Sequence, residues 1–250
     1  TCAVSGVEVG TEQVFKYAKD AGLPCIFFIN KMDRENANFN KVLDQIRELF
    51  GSKAVPFQLP IGSEANFKGV VDVVAQKAYT FDGKSVKECP IPDELKDEME
   101  NYRSMIMEVV AETDDELLMK YLEGEELTQD EIQKGLSVGV RKGDIYPILC
   151  GSSLTNKGIT LLMDTIVNYA ASPEDRPDEI ATKPGSNEEI TLKCSASEPF
   201  SALVFKTLAD PYVGKLTMFK VFSGTLKSDS QVYNVTQDQT EKFEQIYVLK

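Results

Sequence analysis

At 250 residues, with 42% hydrophobic side chains and a formal charge of −13, the chain is long enough for one large domain or two to three small ones and apolar enough to fill real cores. No run approaches the roughly 18 to 20 apolar residues that cross a bilayer, and TCAVSG lacks the basic start and long apolar stretch of a secretory signal, so no membrane association is expected. The chain has no His, and its five cysteines (Cys2, Cys25, Cys89, Cys150, Cys194) are odd in number and widely spaced without a CxxC pair, which argues against a disulfide framework, a zinc site or His-based catalysis and for a reducing cytoplasm.

In chain order, TCAVSG starts as if already inside a strand. Thr11 opens a helical stretch in which Val14, Phe15 and Ala18 can face inward, stopped at Gly22. Leu23 to Ile29 is short and almost wholly apolar, the pattern of a strand covered on both faces of a parallel sheet. Asn38 to Phe50 returns to helical spacing, with Phe39, Val42, Leu43, Ile46 and Leu49 on one side and Gly51 as the stop. Strand, helix, strand, helix is the rhythm of an α/β fold.

From about Val55, turn signals at Pro60, Gly62, Gly69 and Asp82-Gly83 separate β-rich runs, predicting a small antiparallel sheet. Helices follow: one with Leu95, Met99, Tyr102, Ile106 and Val109 on a face, a short one through Leu117, Leu118, Tyr121 and Leu122, and a third opened by Thr128 with Glu131 three residues on, a capping-box signature. The segment from Glu88 to Glu131 holds sixteen acidic side chains against three basic ones and so accounts for the whole net charge. Such a surface repels phosphate backbones and suits a basic protein partner, or serves solubility alone.

The α/β rhythm resumes at Asp144 to Cys150 and continues through GSSLTNKG into an amphipathic helix carrying Ile159, Leu162, Met163, Ile166 and Tyr169. Residues 171–199 are rich in Pro, Ser, Asp and Glu and read as a linker. FSALVFKTL, LTMFKVFSG, SQVYNV and EKFEQIYVL then alternate apolar and polar residues, which predicts a β-barrel or sandwich still in progress at Lys250. The expected divisions are 1–54 and 144–196 for an α/β domain with its linker, 55–143 for an acidic α+β insertion, and 197–250 for the β domain.

Ligands of doubly wound sheets sit beyond the carboxyl ends of the strands, where Asn30, Lys31, Met32 and Asp33 fall. The Asp33 carboxylate offers two acceptors that match the ring N–H and exocyclic amino group of guanine, a donor pair adenine lacks; each unmet bond at such a site costs about 1–3 kcal/mol. Lys31 can lay its methylene stem along a base face, and Asn30 can tie neighbouring loops. A second strand end, CGSSLTNKG at 150–158, supplies backbone N–H groups for the guanine O6. Taken singly, each motif is equally well a helix start: Asn30 or Asp33 as a cap, Gly-Ser-Ser as an N-cap turn.

FFINKMDRENANF, QLPIGSEANFKGVVDVV, KYLEGEELTQDEI, CGSSLTNKGI and EPFSALVFKTLADPYVGKLTMFKVFSGTL, in this order along essentially the whole chain, resemble the bacterial elongation factor G family of translational GTPases. The resemblance implies a partial P-loop GTPase domain carrying the α+β insertion and followed by the start of an antiparallel β-barrel. It also implies a ribosome-dependent GTPase that drives tRNA–mRNA translocation in the cytoplasm as a monomer. Partners so implied are the ribosome's RNA and proteins, with its stalk protein at the acidic insertion. Asn30, Lys31, Met32 and Asp33 would be the guanine-reading motif for GTP and GDP, and Ser152, Ser153 and Leu154 the second base-contacting turn. The family commonly has Ala where this chain has Ser153.

The chain has no GxxxxGK[ST] loop, no segment matching the family's magnesium-binding switches and no Asp-Thr-Pro-Gly-His. The expectation is therefore an internal piece that keeps base recognition, while Mg2+ ligands and hydrolysis lie outside it and the 250 residues alone are inactive. A non-hydrolysing guanine-nucleotide-dependent ribosome-binding module is the alternative from another class. A relative of ribosomal-protection proteins or release factors is a lesser one, against which NFKGVVDV argues.

Overall fold

A computed structural model describes residues 1–82, 85–212 and 214–248; the turn expected at Gly83 and the chain end at Lys250 lie outside the described residues. The chain divides into two units, Thr1–Ala171 and Ser172–Lys250. The first is α/β. Helix α1 (Val9–Asp20) leads to β1 (Phe27–Ile29), α2 (Phe39–Phe50) and β2 (Ala54–Pro56). After the insertion come β7 (Tyr146–Cys150) and α6 (Ile159–Tyr169), and the parallel sheet has the order β1-β7-β2. Its central strand is buried at every residue, as its unbroken apolar run requires. Cys2 bridges Asn30 in parallel, so the first residues continue the ladder beside the end of β1.

The insertion is an antiparallel sheet, β3 (Gln58–Ile61), β4 (Gly69–Asp72), β5 (Lys77–Asp82) and β6 (Ser85–Cys89), in sequential order, with α3 (Lys96–Ala111), α4 (Asp115–Leu122) and α5 (Gln129–Lys142). Met99, Tyr102, Ile106 and Val109 of α3 are buried as their spacing predicts, and with Ile132, Leu136 and Val140 of α5 they join the core formed by the sheets. In the α/β part Phe15, Phe27, Phe50 and Tyr146 form a ring cluster, with Phe15 and Phe50 centroids 4.4 Å apart. This geometry adds to the area that burial of the rings already removes from water.

Several sequence expectations need correction. Helix α1 begins at Val9 rather than Thr11, and Val14 is 66% exposed while Phe15 faces the core. Strand β1 starts four residues later than Leu23, because the α1 terminus folds back, the Leu23 N–H donating to the Ala18 carbonyl. Leu49 of α2, and Leu118, Tyr121 and Leu122 of α4, are exposed, while Leu117 packs against the core. Leu95 is the N-cap of α3, not part of it. In α6 the buried residues are Leu161, Thr165 and Tyr169, whereas Met163 and Ile166 are exposed. Entry through Gly158 at φ 81, a left-handed conformation closed to most side chains, sets the rotational phase of that helix and turns the Leu161 stripe inward. Residues 171–199 are not wholly a linker: β8 (Glu179–Thr182) and β9 (Glu189–Leu192) pair as an antiparallel hairpin.

In the second unit β10 (Ser201–Asp210) pairs with β11 (Gly214–Ser223), and β12 (Gln231–Asn234) with β13 (Gln239–Lys242), all antiparallel. EKFEQIYVL contributes strand only as far as Lys242 among the described residues. These ladders make the second unit antiparallel β structure, with Leu203, Val204 and Phe205 exposed on β10.

The capping box opening α5 is formed. Thr128 Oγ1 accepts from the Glu131 N–H at 3.3 Å, and Glu131 Oε2 accepts from the Thr128 N–H at 2.8 Å. Thr128→Ala is expected to lower the stability of this unit by about 1 kcal/mol in denaturant titration. The Lys120 ammonium, 2.7 Å from Glu131 Oε1, and then the Thr128 N–H and hydroxyl hold the Glu131 carboxyl down from its ordinary 4.5 to about 2. Because the folded value is the lower one, this contribution is full above the ordinary carboxylate range and is lost as pH falls toward 2. Acid unfolding followed by circular dichroism is expected to lose this component in Glu131→Gln; an unchanged acid limb would remove the carboxylate from the account.

Candidate functional site

The parallel pairing of β1 with β7 brings Ile29 opposite Cys150, so both strands end at the same edge and release their loops side by side. The loops are then stitched together. The Gly151 N–H donates to the Ile29 carbonyl at 3.0 Å and the Met32 N–H to the Gly151 carbonyl at 3.1 Å. Asn30 is the central tie: its Oδ1 accepts from the Lys31 N–H at 2.8 Å and the Ser153 N–H at 2.9 Å, while its Nδ2 donates to Ser153 Oγ at 2.9 Å. An amide has one acceptor oxygen and two N–H donors, and here both functions join strand ends that lie 123 positions apart in sequence.

Around this tie the predicted residues separate into two groups. Lys31, at φ 68, is half-buried and leaves the strand direction in a left-handed conformation. Asp33 is half-buried, and its Oδ1 is buried without a hydrogen-bond partner among the described residues. A carboxylate oxygen left in that state costs free energy unless a donor is supplied. Ser153 and Leu154 are exposed, Leu154 by 82%. In contrast, Met32 and Ser152 are fully buried. Met32 anchors its loop through its backbone, and Ser152 exchanges both backbone hydrogen bonds with Lys157 while its hydroxyl accepts from the Thr155 N–H at 3.2 Å.

The N–H of Ser153, one of those expected to face a base, is already used by Asn30. The Ser153 hydroxyl has a defined task as well, since it accepts from the Asn30 amide. Side-chain and backbone contacts thus hold Ser153 in place against Asn30.

Several residues at this edge carried no functional signal in the sequence. Lys157 donates to the Phe67 carbonyl at 2.6 Å, and the Glu64 N–H donates to the Met32 carbonyl at 2.9 Å; both bring the insertion to the strand ends. Cys2 lies beside Asn30 in the ladder. Burial pushes its thiol up, but hydrogen bonds from Ser5 and Val4 and the nearby Lys31 charge outweigh it and bring it down to about 7. The Cys150 thiol, fully buried, is pushed up by desolvation alone.

Residues 1–172 match the family described as the elongation factor Tu GTP binding domain, and residues 199–250 match elongation factor G domain 2. A crystal structure of a protein from Thermus thermophilus is similar over 97% of this chain, with a TM-score of 0.78 and 26% sequence identity. The chain spans 34% of the length of that protein.

Proposed function

The chain belongs to the elongation factor Tu GTP-binding-domain family, and from that premise we propose that it reads the guanine base for a ribosome-dependent GTPase that promotes tRNA–mRNA translocation. The single observation that carries the base-reading role is the buried Asp33 Oδ1 without a partner at the joint end of two parallel strands. A guanine ring N–H or exocyclic amino group supplies the donor this oxygen lacks. Lys31 flanks the base along its methylene stem, Asn30 holds the two loops at a fixed separation, and Ser153 and Leu154 border the base from the second loop. Met32 and Ser152 act from beneath as anchors.

The match of residues 199–250 to elongation factor G domain 2 is in keeping with the translocation reading, and a paralogue of the same family would share it. The acidic stretch from Glu88 to Glu131, which includes helices α3 and α4, suits a basic surface on a ribosomal stalk protein. GTP binds and turns over in the cytoplasm in this reading. The 250 residues contain no phosphate-cradling loop, so alone they are expected to hydrolyse no GTP. In this reading the Mg2+ that accompanies GTP is held by residues outside this chain. No described helix is long and apolar enough to cross a membrane.

The test is GTP and ATP hydrolysis by the intact protein carrying this chain, with and without ribosomes. Ribosome-stimulated turnover confined to GTP is expected, with none from the isolated 250 residues. Guanine-specific binding without turnover would replace the enzyme by a non-hydrolysing ribosome-binding module, and turnover by the isolated chain would overturn the assignment of phosphate chemistry elsewhere.

A further inference from the structure

The turn that joins β3 to β4 in the insertion touches both loops of the base site. Its Glu64 N–H donates to the Met32 carbonyl at 2.9 Å, and Glu64 Oε1 accepts from the Asn36 N–H at 2.7 Å. These two bonds bracket Asp33 in sequence, one residue before it and three after. Three residues beyond Glu64, the Phe67 carbonyl accepts from Lys157 Nζ at 2.6 Å, and the same ammonium stands 5.9 Å from the centroid of the Phe67 ring. Lys157 in turn closes the second base loop through its paired backbone bonds to Ser152.

The turn itself has little freedom. Gly62 has φ +77, and a Cβ there would lie 2.2 Å from the Asn66 carbonyl oxygen. Glu64 holds φ 55, and the Asn66, Phe67 and Lys68 N–H groups are bonded within the turn to Ser63, Glu64 and Ile61. Phe67 is fully buried beneath it. A turn with this many internal bonds moves as a unit, and what it holds at one end is the loop of Asp33 and at the other the loop of Ser153.

We infer that Glu64 and Lys157 are positioning residues through which the inserted subdomain sets the residence time of the guanine nucleotide. Neither touches the base. Glu64 fixes the Asp33 loop, Lys157 fixes the Ser153 loop, and both forces pass through one turn of the inserted sheet. A protein that loads the insertion thereby loosens or tightens both sides of the base site together. This inference rests on the base-reading role of Asp33.

The experiment measures dissociation of fluorescent GDP from the intact protein and from Glu64→Ala, Glu64→Gln, Lys157→Met and Lys157→Arg, with thermal midpoints alongside. Loss of one loop-holding hydrogen bond is expected to speed dissociation about three- to tenfold in Glu64→Ala and Lys157→Met. Glu64→Gln keeps an acceptor and Lys157→Arg a donor, so both are expected to remain near the unaltered rate while midpoints within each pair stay similar. Unchanged rates in Glu64→Ala and Lys157→Met, or rates in the conservative variants as fast as in the truncated ones, overturn the inference. Preference for GDP over ADP in the unaltered protein separates the two claims: without it the base-reading role falls and this inference with it, whereas retained preference with unchanged variant rates removes only the role of the turn.

Discussion

Asp33→Asn in the intact protein is expected to weaken GTP and GDP binding by about a hundredfold, because two hydrogen bonds to a charged acceptor are together worth roughly 3 kcal/mol or more. The same change is expected to improve binding of xanthosine triphosphate, whose 2-keto group can accept from the new amide. The nucleotide-free protein is not expected to lose stability, since among the described residues no donor meets the buried Asp33 Oδ1 and the substitution breaks no hydrogen bond there. Competition titrations with GTP, xanthosine triphosphate and ATP, together with the thermal midpoint without nucleotide, check all three parts. Guanine preference that survives the substitution would take the base-reading role away from Asp33.

Phe67→Ala is expected to cost about 3–5 kcal/mol, the range for a fully buried aromatic ring. Phe67 belongs to the continuous core of the first unit, so truncation leaves a cavity beneath the turn that holds both base loops and removes the ring under the Lys157 ammonium. Calorimetry should show the midpoint of this unit lowered by on the order of 10 °C. Leu154→Ala, at an exposed position of the same site, is expected to stay within about 0.5 kcal/mol of the unaltered protein. A Phe67→Ala midpoint shifted no further than that of Leu154→Ala would mean that the core under the turn collapses to fill the space.

Periodicity and end signals are enough to read the α/β class, the order of the elements in the first unit and the antiparallel sheet of the insertion, but not the β8–β9 hairpin. Those features depend on local rules: Thr128 and Glu131 make a capping box because they are three residues apart in a helix start, and an unbroken apolar run such as Tyr146 to Cys150 is stable only with both faces covered. Where the sequence reading failed, the deciding force was not local. The inward face of α6 depends on the angle at which Gly158 delivers the helix to the core, and a helix with apolar residues on more than one side, here Leu161, Leu162, Met163 and Ile166, has no unique inward face until it is docked.

The candidate site divides in the same way. The sequence by itself determined the chemistry: a carboxylate at Asp33, an amide at Asn30 and a hydroxyl at Ser153, at the ends of two apolar runs. It could not say which donors and acceptors satisfy one another, since the Asn30 amide meets Ser153 across 123 positions and Lys157 meets Phe67 across 90. Tertiary structure alone decided that the Ser153 N–H is taken by Asn30, that Asp33 Oδ1 is left without a donor, and that the insertion braces both loops. The physical reason is that a hydrogen bond is fixed by position within a few tenths of an ångström, and only the parallel register of β1 against β7, with the inserted sheet packed alongside, brings residues so far apart in the chain within that distance.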